Sequence, residues 1–129
     1  IASPDLVGHG PIEDPADSLK YPWLQEMGTN EATAWLRDQE VAQALPRGLT
    51  SLPGNLLADA ARDGQGIAVT ARAFFEADIQ AGRLRVLFQD PDERGYHLLS
   101  RPGVLRPAVR TLHSWMIRQA AQGIGAEIG

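Results

Sequence analysis

Residues 61–88, ARDGQGIAVTARAFFEADIQAGRLRVLF, set a glycine pair, Gly64-Gln65-Gly66, beside an apolar run. Glycine turns of this kind cradle phosphates when a strand leads in and a helix leads out. The absent Cβ lets the backbone come close, and the helix N-terminus supplies free amides. Here the order is reversed. The pattern predicts a helix over Pro53–Asp63, with Leu56, Leu57, Ala60 and Ala61 on one stripe, before the glycines. It predicts a strand, Ile67–Val69, after them. The pair therefore reads as a helix-to-strand turn, one glycine supplying the positive φ of a C-cap and the other a close backbone approach.

Other side chains that carry chemistry are dispersed. His9 lies in a Gly-flanked loop, His97 in a strand pattern and His113 on a long helix, none at metal-ligand spacing with another His or carboxylate. Glu13, Asp14 and Asp17, and later Asp90, Asp92 and Glu93, fall in Pro-containing loops, where carboxylates are solvated turn residues rather than a buried acid–base pair. No serine sits in a G-x-S-x-G elbow. There are no cysteines, which excludes thiol chemistry and Cys-based metal sites. The expectation is that the protein is not an enzyme, with no catalytic residues, metal or cofactor.

The elements that must position these residues alternate between strand and helix. Short turns are predicted at Pro4–Val7 and at Pro15–Leu19, the second capped by Asp14. Tyr21–Glu26 reads as a strand in which Pro22 marks an edge or an early position. Thr29–Glu40 reads as a helix, Ala42–Leu45 as a weak strand and Arg72–Ala81 as a helix. Leu84–Phe88 and Tyr96–Ser100 read as strands. Arg106–Gln122 reads as the longest helix, with a stripe of Leu105, Ala108, Val109, Leu112, Trp115, Met116 and Ala120. Trp23, Trp35, Phe74, Phe75 and Trp115 are expected in the core, and Arg106, Arg110 and Arg118 on a solvated face. The alternation implies an α/β domain with a mostly parallel sheet flanked by helices.

Bulk properties narrow the partners. At 129 residues with 43% hydrophobic content the chain is sized for a folded domain. A net charge of −4, with the 12 Lys and Arg scattered, argues against a stand-alone nucleic-acid binder. No apolar run approaches a membrane span, so no membrane partner is expected. The chain opens on Ile1 rather than Met and is expected to be a piece of a longer protein.

The order helix, GQG, strand, helix, strand resembles the effector-binding domain of the LysR-type transcriptional regulators. LLADAARDGQGIAV (56–69), FFEADIQAGRLRVLF (74–88) and GYHLLSRPGVLRPAVRTLHSWMIRQA (95–120) carry the likeness. Ser3-Pro4 matches the family's turn after its first interdomain crossing. YPWLQ and AWLRDQ resemble the branch that includes the regulator of glycine cleavage. The resemblance implies a Rossmann-like, periplasmic-binding-protein-like fold, with residues 1–88 as the second effector subdomain and 89–129 as a linker and a strand–helix returning to the first. It implies a cytoplasmic sensor that binds a small-molecule effector in an intersubdomain cleft. It also implies a homodimer joined through helices such as Leu56–Asp63 and Pro107–Gln119. DNA would be bound only by an N-terminal domain absent from this sequence.

Within that frame the candidate effector contacts are Thr50, Ser51, Asn55, Thr70 and Tyr96. Thr50 and Ser51 stand at a helix entrance, where hydroxyls and free amides hold polar groups, although Ser51 could equally be a helix cap. Asn55 follows in the same turn, where the family places a polar residue. Thr70 sits just past a strand, as a cleft residue or a turn residue. Tyr96 is placed by the resemblance on the first-subdomain wall, its hydroxyl meeting protein or ligand. A periplasmic-type solute-binding protein, whose fold is the same, is the alternative reading, followed by a small α/β enzyme.

Overall fold

Trp23-Leu24-Gln25-Glu26 forms β1, the centre of a three-stranded parallel sheet in the order β2-β1-β3. In the computed structural model, which describes residues 1–41, 48–90 and 98–128, the chain divides into two units, Ile1–Pro91 and Asp92–Gly129. The sheet lies in the first. β2 is Leu49–Leu52 and β3 is Ile67–Ala68. Trp23 pairs with both Leu49 and Ile67, and Leu24 with both Thr50 and Ala68.

Strand alternation sends neighbouring side chains to opposite faces, and each face meets a different helix. Trp23 and Ile67 pack with Ala32 and Leu36 of α2 (Glu31–Asp38) and with Ala2 and Val7. Leu24 and Ala68 pack with Leu57, Ala60 and Ala61 of α3 (Gly54–Arg62), and with Phe75 and Leu84. This two-sided cover follows from topology. β1 to β2 and β2 to β3 run in opposite directions across the sheet, and crossovers of one hand then place their helices on opposite faces. Trp23, 1% exposed, keeps its indole N–H satisfied on the Ser18 carbonyl at 3.1 Å.

The glycine turn does what the sequence asks of it. After α3 the amide of Gly64 donates to Ala61 and that of Gln65 to Ala60, a Schellman closure with Gly64 at φ 72°. Gly66 is a close approach: a Cβ there would lie 2.7 Å from Leu24 Cγ and 3.1 Å from the Pro22 carbonyl oxygen. Beyond β3, a 3-10 turn at Arg72–Phe74 leads into α4 (Glu76–Gln80). The sheet edge is extended by two short antiparallel contacts. Ile1 exchanges two hydrogen bonds with Ala68, and Ala2 two with Arg85. Asp78 is buried at the end of this path, its carboxylate bound by Arg62 at 2.9 and 3.1 Å and by Arg83 at 2.7 Å.

Several elements differ from the sequence reading. The strand beside β1 is Leu49–Leu52, which the sequence pattern did not mark, and the strand expected at Ala42–Leu45 lies outside the described residues. Of the two positions open to Pro22 the early one holds and the edge does not: it lies one residue before β1, a central strand, and serves through its carbonyl, which accepts from Ile67 at 2.9 Å. Arg72–Ala81 is split at Phe75 into a 3-10 turn and a short helix. Leu84–Phe88 contributes an isolated bridge at Arg85 rather than a strand. α1 (Pro4–Val7), capped by Ser3, and a 3-10 turn at Pro15–Lys20, capped by Asp14, form where expected.

In the second unit, α5 spans Pro107–Ile128. Leu98–Ser100 is not a strand, and Tyr96 and His97 lie outside the described residues. Val109, Leu112, Trp115, Met116 and Ile117 of α5 are exposed, so Trp115 is not a core residue. Phe74 in the first unit is also exposed, whereas Phe75 beside it is buried.

Two measurements test this account. Gly66→Ala is expected to lower stability in urea unfolding by about 1–3 kcal/mol through overpacking against Leu24, and Gly64→Ala by about 1–2 kcal/mol through left-handed strain. The second concerns acid. Hydrogen bonds from Arg62 and then Arg83 hold the Asp78 carboxyl below the ordinary aspartate range, so the unfolded chain takes up this proton first. The resulting stabilisation is complete at neutral pH and is lost as pH falls through the acid range. Asp78→Asn is expected to be less stable at pH 7 and to show a shallower acid limb in a Tm-versus-pH series.

Candidate functional site

Open α/β sheets hold ligands beyond the carboxyl ends of adjacent strands whose connections leave in opposite directions. Only one such position exists among the described residues. After β1 the chain turns through Met27–Asn30 into α2 and on to β2. After β3 it turns through Val69–Ala71 and α4 towards residues 84–86, on the other side. The divergence lies between β1 and β3.

Thr70 stands in the loop leaving β3 at this point, half-buried, and its hydroxyl has no hydrogen-bond partner among the described residues. Across from it, Gln25 and Glu26 end β1. Gln25 Oε1 accepts from the backbone N–H and the hydroxyl of Thr33, both at 3.2 Å, so a strand side chain caps the first turn of α2. Asn30, the residue before α2, makes no side-chain cap bond. Thr29 folds back through its hydroxyl onto the Glu26 carbonyl at 3.0 Å.

Glu26 points to the α3 side. Its Oε1 lies 2.5 Å from where a Cβ on Gly54 would be, so only glycine leaves the carboxylate this close to the opening of α3. Pro53 precedes α3 without a side-chain cap, and the amides of Gly54 and Asn55 have no partner among the described residues. The negative carboxylate faces the positive end of the helix.

Thr50 and Ser51 are strand residues of β2 rather than helix-entrance residues, and both are exposed. Ser51 therefore does not cap α3. Thr50 pairs with Leu24 and Ser51 with Gln25, so the two hydroxyls address opposite faces of the sheet. Asn55 is exposed in the first turn of α3. The structure thus gathers Asn55 near Glu26 and sets Thr70 at the divergence, while Thr50 and Ser51 lie one strand away. Tyr96 lies outside the described residues. Gln25, Glu26 and Asn30 were not singled out in the sequence. Applying the strand-end rule to YPWLQE as well as to the later strand finds them.

The arrangement offers the Thr70 hydroxyl, the amide side chains of Gln25, Asn30 and Asn55, the Glu26 carboxylate and two backbone amides without a partner among the described residues. Among the described residues no three His, Asp or Glu side chains converge as metal ligands. No helix among them is long and apolar enough to cross a membrane.

A parallel sheet wound in both directions from a central strand, with polar groups at its carboxyl ends, is the architecture of the periplasmic-binding-protein-like α/β folds. Comparison with known proteins makes this specific. The chain belongs to the LysR substrate binding domain family, whose pattern matches residues 1–121. It is similar to the AhcY transcriptional activator HvrB of Rhodobacter capsulatus, with 25% identity over 121 residues that cover 93% of this chain. The match spans 41% of that relative's length. No solved structure matches the chain.

One substitution probes the strand end directly. Gly54→Ala should cost little, because the atom it meets is the tip of an exposed side chain that can swing away. Stability in urea unfolding is expected to be unchanged, or raised by less than about 1 kcal/mol through helix propensity. A loss comparable to that of Gly66→Ala would show instead that Glu26 is fixed against α3.

Proposed function

We propose that this chain is the ligand-sensing part of a LysR-type transcription regulator, that it binds a small-molecule effector, and that it is not an enzyme. The observation that carries the reading is the divergence between β1 and β3, where the hydroxyl of Thr70, without a partner among the described residues, follows β3 beside the polar end of β1. Family membership supports the regulatory role, and the similar activator is named for transcription. In this reading residues 1–88 form the second effector subdomain, and 89–129 the linker and the return to the first. Thr70 is the central effector contact, with Thr50, Ser51 and Asn55 around it and Tyr96 on the opposite wall.

Mechanism then follows from linkage. An effector that binds one arrangement of the two subdomains more tightly shifts their populations by its differential affinity. In a cytoplasmic homodimer that shift would reach DNA-binding domains attached elsewhere in the regulator. The exposed apolar residues of α5 and the exposed Leu56 on α3 suit the proposed role of these helices in dimer contacts.

A thermal-shift screen of amino acids and small carboxylates, on a polypeptide carrying both effector subdomains, tests the reading. A true effector at a hundredfold excess over its Kd is expected to stabilise by about 2.7 kcal/mol. Thr70→Ala should weaken the response, and Ser51→Ala should do so if β2 reaches the ligand. A hit that Thr70→Ala leaves unchanged would remove the β1–β3 divergence from the site, and turnover of the compound would make the protein an enzyme.

A further inference from the structure

A concave feature lies in the first unit, apart from the strand ends. It is an open depression of about 440 Å³ lined by residues that include His9, Arg72, Ile79, Leu84, Arg85 and Val86. We propose that it binds a small organic monoanion, a carboxylate with a short apolar body. The inference shares no residue with the β1–β3 divergence and does not rest on the function proposed above.

Charge is the first argument. Asp and Glu outnumber Lys and Arg in residues 1–91, yet among the described residues lining this depression there are two arginines and no carboxylate. The two are not equivalent. Arg72 is paired with Glu76 at 2.9 Å and donates to Gln89 at 3.0 Å, so its charge is met and its position fixed. Arg85 has no carboxylate within ion-pair distance among the described residues. Its guanidinium donates instead to two neutral acceptors, the carbonyls of Gly8 and of Gly10, the latter at 2.9 Å. Arg62 and Arg83, by contrast, both end on Asp78. One uncompensated cation calls for one negative charge.

Geometry is the second. An arginine has five N–H donors, and the two carbonyl bonds leave donors for a ligand. The same two bonds tie the Gly8–Gly10 loop to Arg85 and so hold His9 at the depression. The Arg85 backbone is itself fixed by two hydrogen bonds to Ala2, at 2.9 and 3.1 Å. The guanidinium is thus preorganised, which spares a ligand the cost of ordering it. Ile79 and Val86, both half-buried, supply apolar surface for a hydrocarbon body, with the buried Leu84 among the lining residues. Inorganic anions lack that body.

The test is an NMR titration of the 129-residue chain with sodium hexanoate at constant ionic strength. Hexanamide serves as the uncharged counterpart and inorganic sulfate as the anion without a body. Saturable amide shifts are expected at Gly8–Gly10, Ile79 and Leu84–Val86. Affinity for hexanamide and for sulfate should be lower by about tenfold or more, and Arg85→Gln should lower that for hexanoate to a similar degree. Equal binding of hexanamide overturns the charge argument, and equal binding of sulfate overturns the organic class. Shifts centred on Glu26–Asn30 and Thr70 overturn the location, as does a folded Arg85→Gln variant of unchanged affinity. Should Arg85→Gln fail to fold, the hexanoate-to-hexanamide ratio on the unaltered protein decides.

Discussion

A buried packing constraint on which the rest of the unit depends is the approach of Leu24 to the backbone of Gly66. Leu24 is a side chain of the central strand, and Gly66 is the last residue before β3 enters beside it. With no Cβ at Gly66, Leu24 fills the space and reaches α3 through Leu57, Ala60 and Ala61. With a Cβ, either the leucine or the strand must move, and β3 is held to β1 by only two paired positions. The Pro22 carbonyl, which is the other near neighbour of Gly66, accepts the Ile67 amide and fixes the register at the same point. One close contact thus sets the spacing of the sheet, the seating of α3 and the start of β3. A short strand has few bonds of its own, so packing must define it.

The geometry of the strand ends is a consequence of that arrangement. Because β1 is central, its ends are shared by both crossovers, and polar residues at its carboxyl end can serve α2 and α3 at once. Gln25 turns to α2 and caps it. Glu26 turns to α3 and faces its uncapped amides. Neither helix has a side-chain cap from its own sequence, since Asn30 and Pro53 make none. For α2 the strand supplies from across the sheet the cap that the helix lacks locally, whereas the amides opening α3 have no hydrogen-bond partner among the described residues. A group that took the Gln25 amide would have to exchange for its contact with Thr33, while one that met Thr70 or the α3 amides would add to what is there.

Much of this was legible in the sequence because it is local. The Schellman turn at Gly64, the Asp14 cap, the Pro4 turn and the apolar stripe of α3 each follow from residues within one or two turns of one another. The family resemblance, carried by the order of such segments, fixed the fold class as well. What escaped was decided by distant partners. Leu49–Leu52 has no strong alternation and ends at a proline, and it becomes a strand because β1 offers it a parallel edge. Arg72–Ala81 has helical residues throughout, yet Phe75 is drawn into the core with Leu24 and Leu84, and the helix breaks around it. The site was legible in part for the same reason. Thr70 is placed by the strand it follows, whereas Ser51 was put at a helix entrance, as a contact or a cap, because its strand was not seen. Gln25 and Glu26 acquire meaning only once both helices are in place.

What remains is how a ligand at the strand ends could be felt elsewhere in the unit, and here α2 is the element with contacts at both places. Its first turn is bound by Gln25 through Thr33. Two residues later Trp35 stacks on Trp23, with ring centroids 5.7 Å apart, and meets Phe88 at 5.2 Å, just before the chain leaves the unit. Trp23 and Gln25 lie on the same face of β1, so the helix rests on both. A ligand that competed for the Gln25 amide would loosen one end of α2 while the aromatic stack held the other. Contact alone does not make such a helix a switch. The two arrangements must differ in affinity for the ligand, and the free-energy gap between them must be small enough for that difference to matter. Centroid separations of this size are typical of favourable aromatic pairs worth about 0.5–1.5 kcal/mol each. That is the scale a modest ligand can overcome, whereas the buried Leu24 core on the other face is not.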